Sequence, residues 1–192
     1  MELSAAQERV VGAALKLFSQ HGVGGTSIRM ISGELGVTAA AVYHQYHTKD
    51  EIVFAAVESQ LRRLKEVVDS AETESTPEAA RQALINGIVE LTMGLGGSMT
   101  TVLNDPAVTG SFSHHAGYRA LFRRIRLLLV GDDTSKEARI RIATLLAAVN
   151  GTASSPLVAH FDDSTRRSEL RNLANRLLES IPLEPQPYGE IA

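Results

Sequence analysis

The sequence predicts an all-α protein, and three observations carry that reading. Apolar residues recur at three- and four-residue intervals along most of the 192 residues, which is the spacing of one helical face. No long alternating Val/Ile/Thr run of the kind a half-buried strand requires is present. Ser or Thr residues also stand three positions ahead of Glu or Gln at several places where an apolar stripe begins, the signature of a helix start.

Taken in order, Ser4 and Gln7 open a first helix with Val11, Leu15 and Phe18 on one face, stopping near His21-Gly22, where glycine can take a left-handed cap. Thr26 is placed to cap a short second helix with Ile28, Ile31 and Leu35 inward, ended by Gly36. After only Gly36-Val37 the chain restarts at Thr38, with Val37 and Val42 in the positions of a hydrophobic staple. Thr48 and Glu51 start a linking helix, about 49–69, striped by Val53, Val57, Leu61, Leu64 and Val68. Residues 70–77 lack apolar periodicity and read as a loop, closed by Thr76-Pro77 as cap and first-turn proline. Beyond it, Leu84, Ile88, Leu91 and Leu95 trace one core helix, and Tyr118, Leu121, Phe122, Ile125, Leu128 and Leu129 another. Thr134 to Glu137 heads an Ala/Leu/Ile-rich helix to Gly151. Leu170, Leu173, Leu177 and Ile181 stripe the last helix before Pro182, and the tail from Leu183 is expected to be loose.

Composition narrows the function classes. With 44% hydrophobic residues the chain can bury a sizeable core. Having no cysteine, it has neither disulfides nor thiolate metal sites, which fits a cytoplasmic location. No stretch reaches membrane-spanning length, so no membrane partner is expected. The net charge of −3 gives no global attraction to nucleic acid, so any DNA contact must be local. Residues 1–60 hold four basic side chains, Arg9, Lys16, Arg29 and Lys49, against six acidic ones.

An enzyme would need a nucleophile with a base, a phosphate-cradling loop or a ligand cluster. Gly94-Leu-Gly-Gly97 follows a helix and lacks the lysine and strand of a phosphate loop, and His114-His115 point about 100° apart on a helix with no acidic partner one turn away. No catalytic residue, metal site or cofactor is expected. The arginines at 119, 123, 124 and 126 read as a solvated face.

The informative stretch runs from Gly25 to Asp50: a support helix, a tight glycine turn, and a second helix whose outer side is small or polar, with Thr38, Ala39, Ala40, Tyr43 and His44. A helix entering the major groove needs small residues at its leading end and hydroxyl donors for phosphates. Helix starts at Thr26-Ser27, Thr38 and Thr48-Lys49 offer free N–H groups to anions. A helical bundle that only binds other proteins is the alternative, but it has no need of this turn and this outer face.

This segment resembles the DNA-binding head of the tetracycline-repressor (TetR) family of transcriptional regulators. Gly25, Thr26, Ile31, Gly36, Val37, Thr38, Tyr43, Tyr46, Lys49 and Asp50-Glu51-Ile52 follow the family's pattern over about residues 5–55. The resemblance implies a helix-turn-helix DNA-binding domain at 1–50 and a helical effector-binding and dimerisation domain at 51–192. It implies a homodimeric repressor of a palindromic operator, with double-stranded DNA contacted by Thr26, Thr38, Ala39, Ala40, Tyr43 and Lys49; Ser27 at its helix start and His44 on the outer face are expected to join them. Ala39, Ala40 and Gln45 depart from the family's usual residues, Gln45 standing where histidine is frequent, and the departures leave few side chains to read bases. Tyr46 is expected in the core. A small apolar or amphipathic effector would lie among Met93, Met99, Leu103, Phe112, His115, Tyr118 and Phe122. Ala143, Ala147, Ala148 and Gly151, with Leu170, Leu173 and Leu177, would form the dimer contact.

Overall fold

A computed structural model of the chain describes residues 3–94, 116–153 and 155–178. These residues form eight α-helices: α1 (Ala5–Gly25), α2 (Ile28–Leu35), α3 (Ala39–Gln45), α4 (Lys49–Ala71), α5 (Pro77–Gly94), α6 (Ala116–Val130), α7 (Lys136–Ala153) and α8 (Asp163–Leu178). A short 3-10 turn at Pro156–Val158 separates the last two. No strand occurs among the described residues, as the periodicity predicts. The chain divides into two compact units inside α4, one running to Arg62 and the other starting at Arg63. Of the residues expected to line an effector site, Met99, Leu103, Phe112 and His115 lie outside the described residues, as do Leu95 and the tail from 179.

In the first unit α1 packs on α2 and α3, and α2 on α3. Each element sends at least one fully buried side chain to the core: Phe18 from α1, Ile31 from α2, Val42 from α3, and Ile52 from α4. The capping box at Ser4 forms in full, with Gln7 N–H on Ser4 Oγ at 3.2 Å and Ser4 N–H on Gln7 Oε1 at 3.0 Å. The first helix breaks where expected, because Gly22 takes φ 73 and ψ 165 and sets a kink inside α1. Gln60 of α4 is fully buried, and neither atom of its amide has a hydrogen-bond partner among the described residues. Burying an unpaired amide is expensive, about 1–3 kcal/mol. Gln60→Leu, of similar size, is therefore expected to raise the melting temperature of the whole protein by several degrees; an unchanged or lower value in a thermal melt would show that the amide is satisfied.

In the second unit α5 packs against α6, α7 and α8, α7 against α8, and α6 against α7. Thr76 caps α5 as expected, accepting from Ala79 N–H at 3.1 Å. Ser135, not Thr134, caps α7, its Oγ accepting from Ala138 N–H at 3.0 Å; the helix starts one residue later than the spacing suggests. The core face of α8 also differs from the expected stripe. Leu170, Ala174 and Leu178 are buried, Leu173 is exposed and Leu177 half-buried. A four-residue stripe fits α8 against α5 and α7, and Arg167 and Arg171 on its flank hold Glu90 of α5 at 3.1 and 2.6 Å.

The arginines of α6 are not a uniformly solvated face. Arg124 grips Glu72 through two nitrogens at 2.8 and 2.6 Å and Asp69 at 2.7 Å. Its hydrogen bonds to Glu72 and then to Asp69 raise its pKa, while Lys65 and Arg124 lower that of Asp69. The bidentate geometry fixes the end of α4 to α6 more firmly than a single exposed ion pair would. Arg126 donates to Gly131 and Asp133 carbonyls at 3.1 and 3.3 Å, capping the end of its own helix.

Candidate nucleic-acid interface

The turn between α2 and α3 depends on one glycine. Gly36 adopts φ 66 and ψ 31, a left-handed conformation that L side chains resist. Val37 N–H then reaches back to Ser32 carbonyl oxygen at 3.0 Å and Gly36 N–H to that of Gly33 at 3.2 Å, which closes α2 and lets α3 begin two residues later. Thr38 caps α3 as expected, accepting from Ala41 N–H at 3.2 Å. Val42 goes fully into the core, and Val37 stays 40% exposed beside it.

The expected cap of α2 is corrected. Ser27 caps it, Oγ accepting from Met30 N–H at 3.2 Å, whereas Thr26 is 2% exposed and donates its hydroxyl to Gly22 carbonyl oxygen at 2.9 Å. The kink at Gly22 presents a free carbonyl there, and Thr26 satisfies it. Its hydroxyl is thus engaged inside the head, and the surface hydroxyl at this helix start is that of Ser27.

On α3, Ala40, Tyr43 and His44 are exposed, Ala39 is half-buried, and Tyr43 is 48% accessible. Tyr46 turns inward as expected; burial raises its pKa, and its hydroxyl has no partner among the described residues. The following helix is anchored by Thr48, which accepts from Glu51 N–H at 3.1 Å. Glu51 reaches back to His47 N–H at 2.8 Å, one residue earlier than an ordinary capping box. Lys49 is thereby held in the first turn of α4, half-buried.

Charge on this unit is sparse and partly spent. Lys16 pairs with Glu34 at 2.5 Å across α1 and α2, so Arg9, Arg29 and Lys49 are the head cations without an ion pair among the described residues. Arg9 and Arg29 are not among the DNA contacts that the sequence suggests. Both are exposed, and a count of head cations that removes internally paired ones singles them out. Arg9 also lines a hollow of about 150 Å³ with Val10, Leu35, Val37, Ala41 and Gln45.

Comparison with known proteins identifies this unit. Residues 10–56 match the family model of bacterial regulatory proteins, tetR family. The HTH-type transcriptional repressor AcnR of Corynebacterium diphtheriae is 27% identical over 67 residues, 35% of this chain and 35% of AcnR, so the match spans about a third of that relative's length. A TetR-like transcriptional regulator from Rhodococcus sp. RHA1 superposes with a TM-score of 0.68 at 20% identity, covering 94% of this chain and 99% of that one. AibR, solved in complex with isovaleryl coenzyme A and operator DNA, superposes with a TM-score of 0.67 at 15% identity, over 88% and 97%. The fold is therefore a helix-turn-helix head with an all-helical body. The head, over residues 10–56, is thus similar to the tetR family of bacterial regulatory proteins.

Proposed function

We propose that the protein is a transcriptional regulator, a repressor that binds operator DNA as a homodimer, and that α3 is the recognition helix. The observation that carries this reading is the outer face of α3: a short helix, fixed at both ends by Gly36, Thr38 and the Thr48–Glu51 cap, that shows small residues, a tyrosine and a histidine to solvent. Small side chains allow the backbone close to base edges, and the methyl groups of Ala39 and Ala40 suit thymine methyl contacts. Ser27, Tyr43 and Lys49 supply phosphate contacts, joined by Arg9 and Arg29.

The test is selection of duplexes from a random pool. A recovered palindrome, with half-sites about 34–36 Å apart or a multiple of that spacing, is expected; no enrichment over bulk DNA at low salt would overturn the reading. Tyr43→Phe and Lys49→Ala should weaken all sequences alike, while changes at Ala39 or Ala40 should alter which sequence is preferred. With so few unpaired cations, the salt dependence should correspond to only a few released counterions per head.

Homodimerisation is proposed through α7 and α8. Ile140, Ala143, Thr144, Ala147 and Gly151 form an exposed stripe along α7, and Leu173 of α8 is 42% exposed. Leu170 is withdrawn from this surface because it packs inside its own protomer. An effector site in the body is supported by Met93, buried on α5, and by Tyr118 and Phe122 of α6, whose rings lie 4.4 Å apart. The isovaleryl coenzyme A bound to AibR is consistent with an apolar or amphipathic effector here. Such a ligand regulates only if it binds the DNA-bound and free forms unequally. No described helix is long and apolar enough to cross a membrane, and a cytoplasmic location is proposed with the function.

A further inference from the structure

Gly87 lies inside α5, where glycine is a poorer helix former than alanine and is kept only if the position needs a bare backbone. The need is visible across the helix pair. A β-carbon at position 87 would overlap Cγ1 of Val67 on α4 and stand 3.1 and 3.2 Å from its Cγ2 and Cβ. Turning the valine makes no room, because χ1 of a helical valine is stiff and all three of its side-chain carbons lie against the position. Only a parting of the two helices admits a side chain there. The end of α4 is meanwhile held to a second helix, by Arg124 of α6 on Asp69 and Glu72. An open hollow of about 450 Å³, lined by Arg63, Glu66, Ser70, Ala83 and Leu91, flanks the contact and leaves α4 room to shift.

We propose that Gly87 is a positioning residue for operator binding: the seat it gives Val67 sets the angle of α4, and with it the half-site separation that the homodimer accepts. This rests on the proposed binding of operator DNA by a homodimer. The helix α4 is continuous over 23 residues, from Lys49 to Ala71, and Val67 stands about 27 Å along it from Lys49. With Asp69 and Glu72 clasped, a side chain forced between Val67 and position 87 re-angles the helix about its clasped end. A tilt of about 5° then moves the first turn by about 2 Å. Two protomers together make about 4 Å, comparable with the ~3.4 Å rise of one base pair.

Duplex selection from pools in which the separation of the half-sites varies reads the seat, and affinity for a single half-site duplex reports the head alone. Gly87→Ala should move the preferred separation by about one base pair and lower affinity for the wild-type palindrome about tenfold, with half-site affinity unchanged. Val67→Ala, which removes the seated methyls and adds no bulk, should accept neighbouring separations almost equally; it carries the test if Gly87→Ala does not fold. Combining the two should restore the wild-type separation, because the β-carbon at 87 then meets only the β-carbon at 67. Two substitutions that merely loosened the packing would add their losses instead. Wild-type separation preference in both single variants would overturn the positioning role. A shift in Gly87→Ala that Val67→Ala does not reverse would overturn the seat. A wild type that selects no DNA, or only isolated half-sites, would overturn the proposed function and this inference with it.

Discussion

Phe18→Ala is expected to unfold the head while leaving the body folded. Phe18 is fully buried in α1, and truncating a buried phenylalanine to alanine removes about 3–5 kcal/mol through lost transfer energy and the cavity left behind. The described part of the first unit is small, ending at Arg62, and a domain of this size has only about 0.05–0.15 kcal/mol of stability per residue. The loss is therefore comparable with everything holding the head together. The measurable result is disappearance of selective DNA binding, a partial loss of helical circular dichroism, and rapid proteolysis confined to residues before the end of α4. Phe18→Leu, which keeps most of the volume, should change stability by less than about 1.5 kcal/mol and retain binding. Retained DNA selection and an unshifted melting transition in Phe18→Ala would mean that α1 is not the support that the burial of Phe18 makes it.

The elements of that head were legible because their punctuation is chemical. Gly36 takes the left-handed conformation a two-residue turn demands, and Thr38 caps α3; both roles depend on which residues tolerate which backbone. Thr26 and Ser27 show the limit. Either hydroxyl can cap a helix, and the choice is made by the kink at Gly22, whose free carbonyl captures Thr26 and leaves the cap to Ser27. Ser135 displaces Thr134 at the start of α7 in the same adjacent-hydroxyl ambiguity. On α8, leucines at 170, 173 and 177 fit a three- and four-residue stripe, but alanine at 174 packs as well as a leucine would when two helices approach closely, so composition alone could not show that the buried face runs through Leu170, Ala174 and Leu178. The Arg124 grip on Asp69 and Glu72 joins residues more than fifty positions apart, a separation over which spacing carries no signal.

Ala147→Glu is expected to convert the proposed homodimer into a monomer and to weaken operator binding by about two to four orders of magnitude. Ala147 sits in the exposed stripe of α7 between Ala143 and Gly151, where small residues permit another helix to approach closely. In a twofold arrangement the same patch meets its own copy, so each substitution places two like charges against each other and against apolar surface. The protomer itself has no reason to unfold, because the side chain already faces solvent; its own core on this helix is Ala138, Leu145 and Val149. Loss of operator affinity follows from losing the second half-site. A dimer that engages one half-site holds its other head at a high effective concentration over the second, which typically raises affinity by about 10²–10⁴. Light scattering at micromolar concentration should report the monomer mass, and binding to a single half-site duplex should be nearly unchanged. Ala147→Ser, which keeps the close approach and adds no charge, should remain dimeric, and Leu173→Glu on α8 should repeat the dissociation if both helices share the contact. A dimer that survives both glutamates would place the interface elsewhere; a monomeric wild type with full operator affinity would remove the dimer from the mechanism altogether.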